Sequence, residues 1–265
     1  MLKDKDIEIF RRDGAAILRD LFDPHWIELL RRGVEENLAN PSSMATGYTD
    51  EGQKGRFFGD YCSWDRIEAY REFLFNSPAA EIAAHCMGST TARLFHEHVL
   101  VKEPGTAEIT PWHHDQPYYP IDGDHIVSLW TPLDPVSKDV CVQFVKGSHL
   151  WGKLYYPRMF KSHDDYGYEG EGFETVPDID AGEYDILSWE MEPGDTIVFH
   201  ARTLHGAPGT EGTTNRRRAF ASRWLGDDAV YAKRPGTTSP PLEDLTLTPG
   251  DPMEDPRFPI VWQQA

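Results

Sequence analysis

The chain has 265 residues, 26 Lys and Arg against 44 Asp and Glu, and a formal net charge of −18. That length suffices for a sizeable buried core, while the charge argues against nucleic acid or an anionic membrane surface as a partner. No apolar run is long enough to span a bilayer and the opening MLKDKDIEIFRRDG lacks a signal-peptide core, so a cytoplasmic protein is expected.

Residues 1–40 read as helical on both sides of a turn at Asp13-Gly14. Asp23-Pro24 has the form of a helix start, with Asp23 as N-cap and Pro24 in the first turn. After it Trp26, Ile27, Leu29, Leu30, Val34 and Leu38 recur at helical spacing. Residues 41–60 are polar and Gly-rich, which predicts a loop. Two further helical stretches follow, Arg66–Phe75 and Ala79–Met87, the second opened by Ser77-Pro78.

From Thr90 to about Trp224 the texture changes to short alternating runs: Arg93–Val101, His125–Leu133, Val140–Val145, Thr196–Phe199 and Ala219–Trp224. Gly, Pro, Asp and Ser separate them, as in a β-sandwich or jelly roll. The Pro-rich tail from Gly226 is expected to be coil packed on the body through Phe258, Val261 and Trp262. Cys62, Cys86 and Cys141 show no CxxC spacing and read as buried small hydrophobes. Between Asp164 and Asp185 stand nine acidic residues and no Lys or Arg. Such a segment between strands is either a lid or a solvated excursion; as a lid, its field would favour neutral or cationic substrates over anions.

Chemistry concentrates in Pro111-Trp112-His113-His114-Asp115 and in Thr203-Leu204-His205-Gly206. On a strand, residues two apart share a face, so His113 and Asp115 project together and His114 points away. With His205 from a later strand they make two imidazoles and one carboxylate. That set leaves open positions and suits non-haem Fe(II) in O₂ chemistry. After His205 comes Asn215-Arg216-Arg217-Arg218-Ala219-Phe220, where a buried Arg would grip the far carboxylate of a keto-acid cosubstrate. His96 and His98 form an HxH pair, a weaker rival site with no third ligand in context. His200, five residues before His205, would face away from it.

These segments resemble the phytanoyl-CoA dioxygenase family of Fe(II)- and 2-oxoglutarate-dependent oxygenases. The resemblance rests on Leu100–Gly105, Thr110–Pro120, Leu129–Leu133, Cys141–His149, Pro193–Thr196, Thr203–Gly206 and Arg217–Ala219, in the family's order. It implies a mainly β fold with flanking helices, a cupin-like double-stranded β-helix. The expected organisation is one domain over 1–265: a mostly helical part (1–89), a jelly-roll core (90–225) and a coil tail (226–265). It implies His113, Asp115 and His205 as iron ligands, Trp130 beside 2-oxoglutarate, and O₂ as the oxidant. For the cosubstrate arginine, position relative to Ala219 points to Arg217 and spacing from His205 to Arg216. Strand parity favours Arg217, because Ala219 and Ala221 would share its face.

Two positions depart from the family pattern: His114 stands where Gln is common, and Ala207 where a hydroxyl residue often follows the distal His-Gly. Lys54 and Arg56 are candidates for a further cosubstrate contact, and His149 reads as structural. The resemblance implies hydroxylation of a C–H bond with release of succinate and CO₂; with no basic patch for CoA phosphates outside the Arg triplet, a small free metabolite is the expected substrate. A retained Asp115 favours this over halogenation, which needs a small residue there. The chain's end, Val261–Ala265, carries no peroxisomal address. The alternative is a cupin-type metal-binding isomerase or binding protein without O₂ chemistry; it leaves the Arg run unexplained.

Overall fold

The computed structural model describes residues 2–161, 167–168, 172–242 and 244–264. Its helices are α1 (Asp4–Asp13), α2 (Pro24–Ala39), α3 (Glu68–Asn76) and α4 (Ala79–Met87). Strands in the first half are β1 (Ala15–Leu18), β2 (Thr46–Gly47), β3 (Phe57–Tyr61), β4 (Thr91–Lys102), β5 (Thr110–His113), β6 (Ile121–Asp122) and β7 (Ile126–Pro132). They are followed by β8 (Gln143–Val145), β9 (Leu154–Tyr155), β10 (Phe173–Glu174), β11 (Ile186–Leu187), β12 (Thr196–His200), β13 (His205–Ala207), β14 (Arg217–Leu225), β15 (Val230–Tyr231) and β16 (Ile260–Gln263).

Two antiparallel sheets face each other in a double-stranded β-helix. The larger runs β1-β12-β7-β14-β4-β3-β2, with β16 added to β4; the smaller runs β11-β8-β13-β5. Strand alternation on β14 shows how sequence fixes the two faces. Phe220 and Trp224 enter the core shared with Phe10, Leu30, Val34 and Phe73 of the helices. Arg217, Ala219, Ala221 and Arg223, the other parity, face the interior between the sheets. The helices therefore cover one face of the large sheet and leave its other face to the cavity.

Helix starts follow the sequence signals. The Asp23 carboxylate accepts from the N–H groups of His25 and Trp26, and Pro24 opens α2. Three expectations need correction. Ile17 and Leu18 lie on β1, not in a helix: Gly14 adopts φ 82°, closes α1 onto the Phe10 carbonyl, and releases an extended chain that pairs with β12. The stretch 41–60 is not all loop; Phe57 and Phe58 are both buried on β3, which the polar residues around them concealed. The tail is not simple coil. β3 covers β4 only at His98–Lys102, so the other end of that edge is free for β16 to pair at Thr91–Arg93. Phe258 is buried, as expected. Cys86 and Cys141 are buried and Cys62 is half-buried.

The N-terminal turn also braces the far end of the chain. A side chain at Gly14 would come within 2.4 Å of His149 Nδ1 and 2.6 Å of Thr203 Oγ1. The Gly14 carbonyl accepts from the His200 N–H and the Thr203 hydroxyl, and His149 Nε2 contacts the Arg11 carbonyl. Only glycine fits this packing, and it fixes the turn that leads into β13.

Candidate active site

β5 and β13 pair antiparallel with His113 directly opposite His205, their ring centroids 4.2 Å apart. His113 Nδ1 lies 2.7 Å from the Pro111 carbonyl, and His205 Nδ1 lies 2.9 Å from the Thr203 carbonyl. A carbonyl only accepts, so each Nδ1 carries the proton and each Nε2 presents its lone pair to the interior. Burial holds the His205 imidazole down to about 3, so it stays neutral.

Asp115 reaches the same point by a route that strand parity did not foresee. β5 ends at His113, and Asp115 takes a helical conformation (φ −71°, ψ −37°) that opens a short turn over Gln116–Tyr118. This turn brings Asp115 Oδ1 to 3.6 Å from His113 Nε2 and 3.7 Å from His205 Nε2. The three ligand atoms lie within 4.8 Å of one another, and all three residues are buried. Burial alone would raise the Asp115 carboxyl, but the Arg223 guanidinium opposes it, and the carboxyl lies well below the usual range. Two imidazole nitrogens and a carboxylate on one side of an open cavity fit a facially bound Fe(II) ion.

A cavity of about 290 Å³ opens on the triad between the two sheets. Trp130 and Arg217 line it, with Ala219, Ala221 and Ala207 forming a small-residue wall. Arg217 is buried, and its Nη1 donates to the Val140 carbonyl. Burial pushes its guanidinium down to about 10, which leaves it protonated. Arg216 faces the opposite way. It pairs with Glu103 at 2.7 Å and Glu35 at 2.8 Å, outside the cavity. Arg218 likewise pairs with Asp134 and Glu35. The arginine run is thus divided by strand alternation, one inward between two outward.

His114 is turned out of the cavity: its Nε2 accepts from the Tyr155 N–H at 2.9 Å. His200 also faces elsewhere, onto the Asp124 carbonyl at 2.8 Å. Neither Lys54 nor Arg56 lines the cavity; that upstream segment contributes Tyr48, Phe57 and Tyr61 instead. Sequence reasoning missed Arg223, which also lines the cavity, donates from Nε to the Tyr119 hydroxyl at 2.5 Å and lies 3.7 Å from Asp115 Oδ2. Its signal was the parity already applied to Arg217, carried three steps further along β14. His96 and His98, weighed as a rival metal pair, line the same cavity. Among the described residues, only His113, Asp115 and His205 group as a metal-ligand set.

Of the acidic segment, Asp164, Asp165, Glu169 and Glu171 lie outside the described residues. Its described stretch from Gly172 to Asp185 packs on the smaller sheet, while the Tyr168 hydroxyl donates to the Pro117 carbonyl at 2.9 Å. Val176 and Ile179 sit against Val145 and Leu204, and Trp112 Nε1 donates to Asp180 at 3.0 Å. None of Glu174, Asp178, Asp180, Glu183 and Asp185 lines the cavity, whereas Arg158, Met159, Phe160 and Lys161 do.

Comparisons with known proteins converge on one family. The profile of Phytanoyl-CoA dioxygenase (PhyH) matches residues 10–219. Human peroxisomal phytanoyl-CoA dioxygenase is 25% identical over 252 residues, covering 92% of this chain and 68% of that protein. A probable phytanoyl-CoA dioxygenase of Caenorhabditis elegans is 26% identical over 191 residues, 70% of this chain and 56% of its own length. Among solved structures, the non-haem alpha-ketoglutarate-dependent epimerase SnoN from nogalamycin biosynthesis superposes with a TM-score of 0.74 at 21% identity, covering 97% and 98% of the two chains. That epimerase has also been solved in complex with Fe³⁺, alpha-ketoglutarate and nogalamycin RO.

Proposed function

The chain belongs to the phytanoyl-CoA dioxygenase family of iron- and 2-oxoglutarate-dependent oxygenases, and from that membership we propose that it hydroxylates a C–H bond of a small metabolite with release of succinate and CO₂. The observation that carries the reading is the intact triad His113, Asp115 and His205 facing a cavity of about 290 Å³. The retained carboxylate supports hydroxylation over halogenation. Bound there, Fe(II) with 2-oxoglutarate and O₂ supplies the oxidising power that no side chain of the protein has.

The protein's own residues supply orientation and exclusion of water. The Pro111 and Thr203 carbonyls fix the tautomer and the ring plane of the two histidines. Ser128 Oγ, 3.4 Å from Asp115 Oδ2, helps set the carboxylate. Arg217 receives the far carboxylate of 2-oxoglutarate, and Ala219 and Ala221 leave room for it beside Trp130. Arg216 stays in its surface network with Glu35 and Glu103. We read residues 1–265 as one catalytic domain, because β1 and β16, from its two ends, join the same sheet. No helix of the described residues is long and apolar enough to cross a membrane.

The test is anaerobic. Protein with Fe(II) and 2-oxoglutarate is expected to show a weak visible charge-transfer band, and succinate should form on admission of O₂. His113→Ala should abolish both; a band that survives this substitution removes the triad from the mechanism.

A further inference from the structure

The cavity contains more polar chemistry than iron and 2-oxoglutarate require. Arg217 and Arg223 lie on one face of β14, six residues apart, or about 20 Å along a strand. In the reading above Arg217 takes the far carboxylate of 2-oxoglutarate, which leaves Arg223 without an assigned partner there. Arg223 is buried, and its partners are the Tyr119 hydroxyl on Nε, a long contact of 3.5 Å from Nη1 to the Ala221 carbonyl, and Asp115 at 3.7 Å. Beside it on β4, His96 is the register partner of Arg223 and His98 that of Ala221. Both imidazoles line the cavity, and His96 Nδ1 and His98 Nε2 are buried without a hydrogen-bond partner. Buried nitrogens left unpaired in this way cost free energy that a bound oxygen would restore. Burial, with Arg223 adding to it, keeps both rings neutral, so each carries a single N–H to donate.

Charge points the same way. Among the described residues, the buried charged side chains lining the cavity are Asp115, Arg217 and Arg223. With divalent iron and a doubly charged cosubstrate in place, these leave one net positive charge in a water-poor site. Two further cations stand at the margin with interactions of their own: Lys161 pairs with Asp50 at 3.1 Å, and Arg158 is half-buried and engaged as well. The rest of this end of the cavity is aromatic, including Tyr61, Tyr118 and Phe160.

We propose that Arg223, His96 and His98 form the substrate-recognition end of the cavity and take a monoanionic carboxylate borne on an apolar or aromatic body. This rests on the oxygenase reading above and adds the substrate's charge and polarity to it. It reverses the expectation drawn from the acidic segment, whose described acids stand away from the cavity.

The probes are a size-graded set of aromatic monocarboxylates and the matching carboxamides, titrated anaerobically into the Fe(II)·2-oxoglutarate complex. Binding is read as a shift of the visible band. At least one acid is expected to bind about tenfold or more tightly than its amide, and to shift the band without bleaching it. Arg223→Gln should remove that preference while the band still forms. Because Arg223 adjoins Asp115, His98→Phe serves as the second variant and should weaken the acid more than the amide. Equal binding of acids and amides, binding by no member of the set, an unchanged preference in both variants, or bleaching that marks displacement of 2-oxoglutarate would each overturn the proposal. A wild-type protein that forms no band at all instead overturns the oxygenase reading on which it rests.

Discussion

At the scale of single residues, strand alternation separates neighbours of identical chemistry. Arg216 and Arg217 differ by one position, yet one lies in a surface network with Glu35 and Glu103 and the other in the cavity. Replacing Arg217 by Gln is expected to raise the dissociation constant for 2-oxoglutarate by about a hundredfold, as for a buried charged pair losing one partner. Arg216→Gln should change it by less than about threefold, since exposed pairs contribute little. Calorimetric titration of 2-oxoglutarate into the Mn(II)-loaded variants separates the two; equal losses would reassign the cosubstrate seat. The triad histidines and both arginine candidates were legible in the sequence because their spacing and strand parity carry them. Asp115 was legible only in outcome, because its position depends on a turn after His113 that an HxD motif does not specify. Arg223 was missed because no motif marks it; only the fold brings it to Asp115.

At the scale of elements, Lys102 ties the strands of the site together. It is fully buried at the end of β4, and its amine donates to the Glu108 carbonyl at 2.7 Å and the Pro208 carbonyl at 3.1 Å, over the Phe57 ring, with burial holding its pKa down to about 6. Those carbonyls lie just before β5 and just after β13, the two strands that carry the histidines. Lys102→Met keeps the volume but leaves both carbonyls unpaired, and should lower stability by about 2 kcal/mol in urea unfolding. No measurable loss would mean that water replaces the amine there. The helices and the β texture were readable because caps and periodicity are local. β2, β3 and β16 were not, because they are short and take their strand conformation from tertiary pairing, β3 and β16 on β4 and β2 on β3.

At the scale of the whole molecule, several histidines are built to stay neutral. Burial holds His200 and His98 down to about 3. In the unfolded chain each takes a proton near pH 6.5, so between about pH 6.5 and pH 3 the unfolded state binds more protons than the folded one. Their penalty is absent above that window and grows as pH falls through it, by up to about 1.4 kcal/mol per pH unit for each histidine. Urea midpoints are therefore expected to fall between pH 7.5 and pH 5, and His200→Asn should flatten the slope by up to that amount. A slope unchanged by this substitution would assign the acid sensitivity to other groups.

The direct opposition of His113 and His205 has a mechanical meaning. An ion held by both imidazoles is a removable cross-link between strands that lie 92 positions apart in the chain. β5 is an edge strand of the smaller sheet, attached to it through β13, so the apoprotein should open there first. Amide exchange along Thr110–His113 and His205–Ala207 is expected to slow markedly when Fe(II) or Mn(II) is added. At an ion concentration a hundredfold above its dissociation constant, the folded state should gain about 2.7 kcal/mol. The centre that supplies the oxidising chemistry would then also act as a reversible fastener of the smaller sheet, and the enzyme's lifetime in the cell would follow its iron supply.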